Sequence, residues 1–203
     1  MANLMDYLDW RGDLTFEQAP FNEVDNLILA QLVYVEFEGI VPTPGKEGTV
    51  TVGEASEQFF RTHDEKEIMK RVSMTKTAAF VLKKMAQTAR FASAELFGYV
   101  NDISIEEQSQ FSVICIRLPD DSIYVSFSGT DNTIVGWREN FNMGYLSETP
   151  GQLKAVSYLN HMWEDSWKKI WVGGHSKGGN LSVYAAVKCD PAIQEHIVCV
   201  YSN

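Results

Sequence analysis

A serine flanked by glycines is the clearest candidate for chemistry in this chain. Residues 174–179 have the sequence Gly-His-Ser-Lys-Gly-Gly, so Ser176 has a glycine two positions before it and another two positions after it. This spacing matches G-x-S-x-G, which forms a tight turn from a strand into a helix and lifts the serine hydroxyl above the sheet. A hydroxyl held in that position can act as a nucleophile in acyl transfer.

Each position of the motif has a physical reason. Gly174 and Gly178 remove side chains that would collide with the adjoining strand and helix. The helix begins at the serine, and its first N–H groups and positive end stabilise negative charge. We therefore expect the backbone N–H of Lys177 to be one donor to the oxyanion, the charged oxygen that develops in the transition state.

Two alternative interpretations are a glycine-rich turn that only packs and one that binds phosphate. The common phosphate-binding patterns, G-x-G-x-x-G and a glycine-rich loop ending in Lys-Ser/Thr, are absent from the sequence. An apolar strand over 170–172 precedes the motif, and a helix with Leu181, Tyr184, Ala185 and Val187 follows it. This context favours a nucleophile elbow.

The elements that must position Ser176 predict an α/β fold. Runs rich in β-branched and aromatic residues over 111–118 and 123–127, joined by a turn, indicate an antiparallel hairpin. A strand, a helix and a strand then indicate a βαβ unit with a parallel pair. The elements expected after the hairpin are a loop over 131–150, a helix over 152–166, a strand over 169–173, a helix over 177–188 and a strand over 197–201.

The first half of the chain has apolar residues at helical spacing. We expect helices over 24–35, 52–60, 65–72, 76–90 and 92–97. The predicted organisation is therefore a mainly helical N-terminal portion over 1–107, packed on the sheet, and an α/β core over 108–203 that contains the serine.

Composition excludes several classes of function. The 203 residues are 45% hydrophobic and carry a formal net charge of -10, which argues against a nucleic-acid partner. The start of the chain lacks the features of a signal peptide, and no apolar run is long enough for stable membrane insertion. Cys115, Cys189 and Cys199 lack metal-type spacing, so we expect buried, reduced thiols in a cytoplasmic protein without a metal or cofactor.

Two segments resemble known lipases. The Gly-His-Ser-x-Gly-Gly motif, preceded by Phe-Ser-Gly-Thr-Asp at 127–131, is similar to the arrangement in class 3 lipases. The segment 128–141, Ser-Gly-Thr-Asp-Asn-Thr-Ile-Val-Gly-Trp-Arg-Glu-Asn-Phe, is closer to a bacterial lipase-like family of unknown function, the Mbeg type. Residues 5–8 and 20–25 resemble that family too. The resemblance implies an α/β-hydrolase fold with a helical N-terminal portion.

The resemblance also implies a second half of the oxyanion hole at Thr130. A backbone N–H would act there, and the threonine can add its hydroxyl. An ordinary turn after the strand, which Gly129 would also explain, is the alternative for Thr130 and Asp131. The family has arginine where Ser128 stands, a difference that bears on the following loop rather than on Ser176.

A serine nucleophile of this type needs a histidine base and a carboxylate that orients it, in the order Ser, acid, His. His196 follows Ser176 but starts the last predicted strand, at the sheet edge opposite the elbow, so we reject it as the base. Asp190 lies beside a proline in a turn that ends a helix. The resemblance places the acid and the histidine beyond Asn203, so we expect a chain truncated on the C-terminal side of its sheet and inactive by itself.

The other three histidines have weaker expectations. His175 is expected to point away from the site or to support the elbow by packing, and His161 to lie on a helix surface. His63 lies in a polar connection, and its role stays open.

The leading hypothesis is a serine hydrolase that acts on carboxylic esters, with lipid-like acyl groups as candidate substrates. Trp137, Phe141, Met143 and Tyr145 are candidates to line an acyl site, and plain core packing is the alternative for them. A non-catalytic or truncated hydrolase-fold binding protein is the second hypothesis, and a thioesterase or peptidase is the third. The oligomeric state stays open.

Overall fold

The computed structural model describes residues 2–70, 75–130 and 133–203 of the protein. These residues form a mixed α/β fold with an open six-stranded sheet. Asp131, Asn132 and the end of the helix predicted over 65–72 lie outside the described residues.

The strands lie across the sheet in their chain order. The pairs β1–β2, β2–β3 and β3–β4 are antiparallel, whereas β4–β5 and β5–β6 are parallel. The described elements, in chain order, are α1 (Leu4–Arg11), α2 (Glu23–Leu32), β1 (Val50–Thr51), α3 (Val52–Thr62), α4 (Glu65–Lys70), α5 (Ala78–Met85), β2 (Glu95–Ser104), β3 (Ser109–Arg117), β4 (Ile123–Phe127), α6 (Ile134–Asn142), α7 (Pro150–Met162), β5 (Ile170–Gly174), α8 (Lys177–Lys188), α9 (Pro191–Gln194) and β6 (Ile197–Ser202).

Both faces of the sheet are covered, and the alternation of side chains in β3 shows how. Ile114 and Ile116 belong to a hydrophobic cluster that includes residues of α1, α2, α3 and α5. Val113 and Cys115 belong to a second cluster, which includes residues of α7 and α8. Successive residues of a strand point to opposite faces, so the middle of β3, residues 113–116, is continuously apolar because it is buried on both sides.

The strand pairings predicted around Ser176 are confirmed. In the hairpin, Val113 pairs with Phe127 and Arg117 with Ile123 in antiparallel register. Strands β5 and β6, with α8 between them, form the predicted parallel pair. Helices α2, α3, α5, α7 and α8 overlap the helices predicted at those positions.

The helix predicted over 92–97 is wrong, because the strand β2 begins at Glu95. Leu96 pairs with Ile116 of β3, and both side chains are fully buried. Burial against a neighbouring strand outweighs a weak local helix preference. Since β1 and β2 both precede residue 108, the sheet extends across the boundary predicted there.

The loop predicted over 131–150 is also wrong in part, because it contains α6. Thr133 caps this helix, and its hydroxyl oxygen accepts a hydrogen bond from the Gly136 N–H at 3.0 Å. The capping threonine was a usable signal, but a glycine in the first turn weakens helix propensity.

A buried ion pair anchors α2, the helix that reaches the candidate site. The Arg90 Nε donates to Asp25 Oδ1 at 2.8 Å, and the two side chains are 1% and 0% exposed. The same guanidinium donates to the Ala19 carbonyl at 2.9 Å and lies over the ring of Phe16. Because every face of the charge is paired or stacked, α2 has a fixed position on the sheet.

The expectation of buried thiols holds for Cys115 and Cys189, whereas Cys199 is half-buried, and all three are free. Burial raises the pKa of Cys115 to about 12. Among the described residues, every helix is too short or too polar to cross a bilayer.

Candidate functional site

Ser176 stands at the turn between β5 and α8 in an unusual backbone conformation. Its φ is 56° and its ψ is -124°, which is a left-handed conformation that favours glycine. A residue held in such a region costs about 1–3 kcal/mol, and the surrounding structure must enforce it. The side chain is exposed, and the Ser176 carbonyl accepts the Gly179 N–H at 3.0 Å as the helix begins.

The glycines on either side allow α8 to approach the end of β4 very closely. A Cβ on Gly178 would lie 2.1 Å from the carbonyl oxygen of Phe127. A Cβ on Gly174 would lie 2.5 Å from the same oxygen and 2.5 Å from the Gly178 carbonyl carbon. Gly179 is restricted as well, since its Cβ would lie 2.5 Å from Ser202 Oγ. The crowding expected at Gly174 and Gly178 is therefore present, and it involves backbone atoms that cannot rotate away.

The loop after β4 lies directly against the elbow. A Cβ on Gly129 would lie 2.5 Å from the His175 carbonyl oxygen and 3.3 Å from Ser176 Cβ. Thr130 follows, and its Oγ1 is buried and has no hydrogen-bond partner among the residues that the structure describes. The predicted residues Ser176, Lys177 and Thr130 thus come together at the carboxyl ends of β4 and β5.

An asparagine network, which the sequence did not reveal, holds the elbow from β6 and α2. The Ser176 N–H donates to the backbone oxygen of Asn203 at 2.8 Å, and the Asn203 N–H donates to the Gly174 carbonyl at 3.1 Å. The amide of Asn26 donates to Asn203 Oδ1 at 2.9 Å, and the hydroxyl of Tyr124 donates to Asn26 Oδ1 at 2.7 Å. These bonds fix the Ser176 backbone on the side opposite the loop after β4.

The Lys177 side chain is buried in an ion pair with Glu139 of α6. Both side chains are 0% exposed, and Nζ lies 2.6 Å from Glu139 Oε2. The ammonium also donates to Gln110 Oε1 at 2.8 Å and to the Gln110 backbone oxygen. Glu139 accepts the backbone N–H groups of Gln110 at 3.1 Å and of Gly151 at 2.9 Å. The pair ties the first residue of α8 to β3, α6 and the start of α7.

Tyr34, in the turn after α2, contacts the same region. Its hydroxyl oxygen accepts a hydrogen bond from the Gly129 N–H at 2.8 Å. Burial raises the pKa of Tyr34, and the bond from Gly129 partly offsets this effect. No motif in the sequence points to Tyr34, Asn26 or Glu139, because each is far from Ser176 in the chain.

The family model that matches this chain is that of the Mbeg1-like family, over residues 85–203, which is more than half of the sequence. The chain belongs to the Mbeg1-like family. The match includes Thr130, Glu139 and Ser176, whereas Asn26 and Tyr34 lie before it. No curated protein matches the chain significantly, and no solved structure does.

The apolar residues that this Mbeg1-like chain carries in and after α6 lie on the surface. Trp137 is 50% exposed, Phe141 71% and Tyr145 73%. Core packing, the alternative considered for them, is therefore wrong for these three side chains, and Met143 is half-buried. The inner face of α6 is occupied by the Glu139 ion pair, so the helix presents apolar side chains outward.

None of the histidines of this Mbeg1-like chain reaches Ser176 in the part that the structure describes. The His196 carbonyl accepts the Ile170 N–H at the start of β5, so His196 lies at the opposite end of the strand from the elbow, as predicted. His175 and His161 are exposed. His63 stacks on Phe59 with the ring centroids 4.1 Å apart.

Asp190, the acid that follows Ser176 in the sequence, lies away from the site as well. It is the residue before the short helix α9, and its backbone N–H donates to Asn160 Oδ1 at 3.0 Å. The described residues thus bring together Ser176, the start of α8 and the loop that carries Thr130, and among them no histidine or carboxylate of the triad type lies at Ser176.

Proposed function

We propose that Ser176 is the nucleophile of a serine hydrolase of the α/β-hydrolase type that acts on carboxylic esters. The observation that carries this proposal is the left-handed backbone of an exposed serine, enforced by glycine contacts on both sides. A strained, non-glycine residue at a strand-to-helix turn is costly, and such strain concentrates at functional sites. A turn that only packs could carry glycine at position 176 without this cost.

In the proposed reaction, Ser176 Oγ attacks the ester carbonyl carbon and forms a tetrahedral intermediate. The Lys177 and Thr130 backbone N–H groups donate hydrogen bonds to the oxyanion, at the positive end of α8. Thr130 Oγ1 is buried and finds no partner within the described ranges, which supports a polar role for this loop, because a buried hydroxyl without a partner is unfavourable. The base takes the Ser176 hydroxyl proton during the attack and passes it to the leaving alcohol as the intermediate collapses, and water then releases the acid from the acyl-enzyme.

The proposal assigns the base and the acid to residues outside this sequence, because the described residues place neither at Ser176. The same observation favours a second candidate, a hydrolase-fold protein that binds a ligand without turnover. The relationship to class 3 lipases and a cytoplasmic location belong to the proposal as well.

Lipid-like acyl groups are the proposed substrates, since Trp137, Phe141 and Tyr145 expose apolar surface on the elements that follow the oxyanion loop.

A fluorophosphonate probe tests the nucleophile. In the full-length natural protein we expect stoichiometric labelling that Ser176→Ala abolishes and Ser157→Ala leaves unchanged. Ser157 is the matched control, because it is an exposed serine on α7 with ordinary helical geometry. Labelling that is absent, or equal in the Ser176→Ala variant, would refute the hydrolase and favour the binding protein.

Substrate class is tested by the rate of hydrolysis. We expect kcat/KM for p-nitrophenyl esters to rise with acyl chain length beyond butyrate. A flat profile, with faster cleavage of acyl thioesters or peptides, would assign the nucleophile to a thioesterase or a peptidase instead.

A further inference from the structure

The hydroxyl of Tyr34 is a neighbour of the candidate nucleophile. It lies 2.6 Å from the point where a Cβ on Gly129 would stand, and Ser176 Cβ lies 3.3 Å from the same point. The phenol oxygen and the serine side chain therefore flank Gly129 on one side, beside Thr130. Tyr34 comes from the turn after α2, outside the segment that matches the family model.

The hydrogen bonding of Tyr34 leaves a donor for a ligand. A phenol has one O–H donor and can also accept. The Gly129 N–H donates to the Tyr34 hydroxyl oxygen at an N···O distance of 2.8 Å and so occupies one acceptor position of the phenol. In the described part of the chain, the Tyr34 O–H donates to no other residue. By contrast, the hydroxyls of Tyr124 and Tyr158 donate to Asn26 Oδ1 and to the Gly98 carbonyl.

The bond from Gly129 also makes the phenol a better donor. A hydroxyl that accepts a hydrogen bond is polarised, and the bond that it donates becomes stronger. Burial raises the pKa of Tyr34, so the phenol keeps its proton at neutral pH. The group is thus a neutral O–H that is held by a backbone amide and lies beside the Ser176 side chain.

We infer that Tyr34 is an oxyanion donor that, together with the Thr130 loop, hydrogen bonds the carbonyl oxygen of an ester bound at Ser176. This inference rests on the proposed hydrolase function. It makes the N-terminal portion a contributor to the chemistry of the site, in addition to its role in packing. The competing explanation is that Tyr34 only accepts from Gly129 and thereby positions the loop.

Fluorinated tyrosines separate these two roles, because fluorine on the ring strengthens the phenol as a donor and weakens it as an acceptor. We would place 3-fluorotyrosine and 3,5-difluorotyrosine at position 34 of the full-length protein and measure hydrolysis of p-nitrophenyl butyrate below the phenol pKa. A donor to the oxyanion predicts that kcat rises with each fluorine at nearly constant KM. A role confined to accepting from Gly129 predicts that kcat falls, and this result would overturn the inference.

Loss of the hydroxyl gives the second measurement. We expect Tyr34→Phe to lower kcat roughly 10- to 100-fold, which is at or below the lower limit of the roughly 100- to 1000-fold loss seen when one oxyanion donor is removed. The matched control is Tyr99→Phe, which removes a buried hydroxyl bonded to the nearby Val35 carbonyl and should leave kcat unchanged. Equal kcat in wild type and Tyr34→Phe would overturn the role of Tyr34 while leaving Ser176 intact. A wild-type protein with no labelling at Ser176 would instead refute both proposals.

Discussion

The buried pair of Lys177 and Glu139 gives a quantitative prediction for stability. Both side chains are 0% exposed, and the carboxylate accepts hydrogen bonds from the ammonium and from two backbone N–H groups. In Glu139→Gln the ammonium stays buried but loses the Glu139 carboxylate. Breaking a buried ion pair on one side costs about 3–5 kcal/mol, because an uncompensated charge remains. We expect a loss of that size in the free energy of unfolding.

The double variant tests the physical cause. Lys177→Met alone should also lose about 3–5 kcal/mol, since it leaves the carboxylate buried without a cation. Combining it with Glu139→Gln removes both charges, and the glutamine oxygen still accepts from one backbone N–H. We therefore expect the double variant to lie within about 3 kcal/mol of wild type, far from the sum of the two single losses.

Urea unfolding at pH 7, followed by near-UV and far-UV circular dichroism, measures these free energies. Lys70→Met is the control, because Lys70 Nζ lies 2.7 Å from Glu67 in a pair whose side chains are both about 70% exposed. It should leave the free energy of unfolding unchanged, since exposed pairs contribute little. Additive losses in the double variant, or a single loss no larger than that of Lys70→Met, would refute the reasoning.

Two further predictions concern the elbow and the surface of α6. Gly178→Ala places a Cβ 2.1 Å from the Phe127 carbonyl oxygen, so it should lose about 1–3 kcal/mol of stability together with labelling at Ser176. Gly53→Ala, whose Cβ would lie 3.5 Å from the nearest atom, should lose neither in the same unfolding and labelling assays. Trp137→Ser should lower kcat/KM for p-nitrophenyl palmitate roughly fivefold and leave p-nitrophenyl acetate unaffected, since only a long acyl chain covers that surface. Trp10, which is 66% exposed on α1, provides the control Trp10→Ser, and an equal effect of the two variants on palmitate would contradict an acyl-binding role for α6.

The parts of this structure that the sequence predicts well are local. The turn from β5 into α8 is encoded within a few residues, because the glycines and the flanking apolar runs are consecutive in the chain. The hairpin of β3 and β4 is predictable for the same reason. The first residues of β2 fall in the helix predicted over 92–97, because the strand conformation depends on pairing with β3 across the sheet.

The parts of the candidate site that the sequence does not predict come from long-range contacts. Asn26 bonds Asn203 at a separation of 177 residues, and Tyr34 bonds Gly129 at a separation of 95. Neither residue stands in a motif, and an isolated tyrosine or asparagine near a helix end is common. The burial of Glu139 is equally unpredictable from the sequence, since a glutamate in an amphipathic helix is usually solvated and this one is buried.

The contacts of the N-terminal portion make it part of the site's construction. Asn26 fixes the strand end that holds the Ser176 N–H, and Tyr34 fixes the loop that carries Thr130. Both depend on the position of α2, which the Asp25–Arg90 pair secures. Arg90 lies within the segment that matches the family model and Asp25 before it, so the pair joins the two parts of the chain. A chain that began at residue 85 would keep the G-x-S-x-G motif, but it would leave Arg90 without its counter-charge and the elbow without two of its supports. The geometry at Ser176 is therefore a property of both parts together.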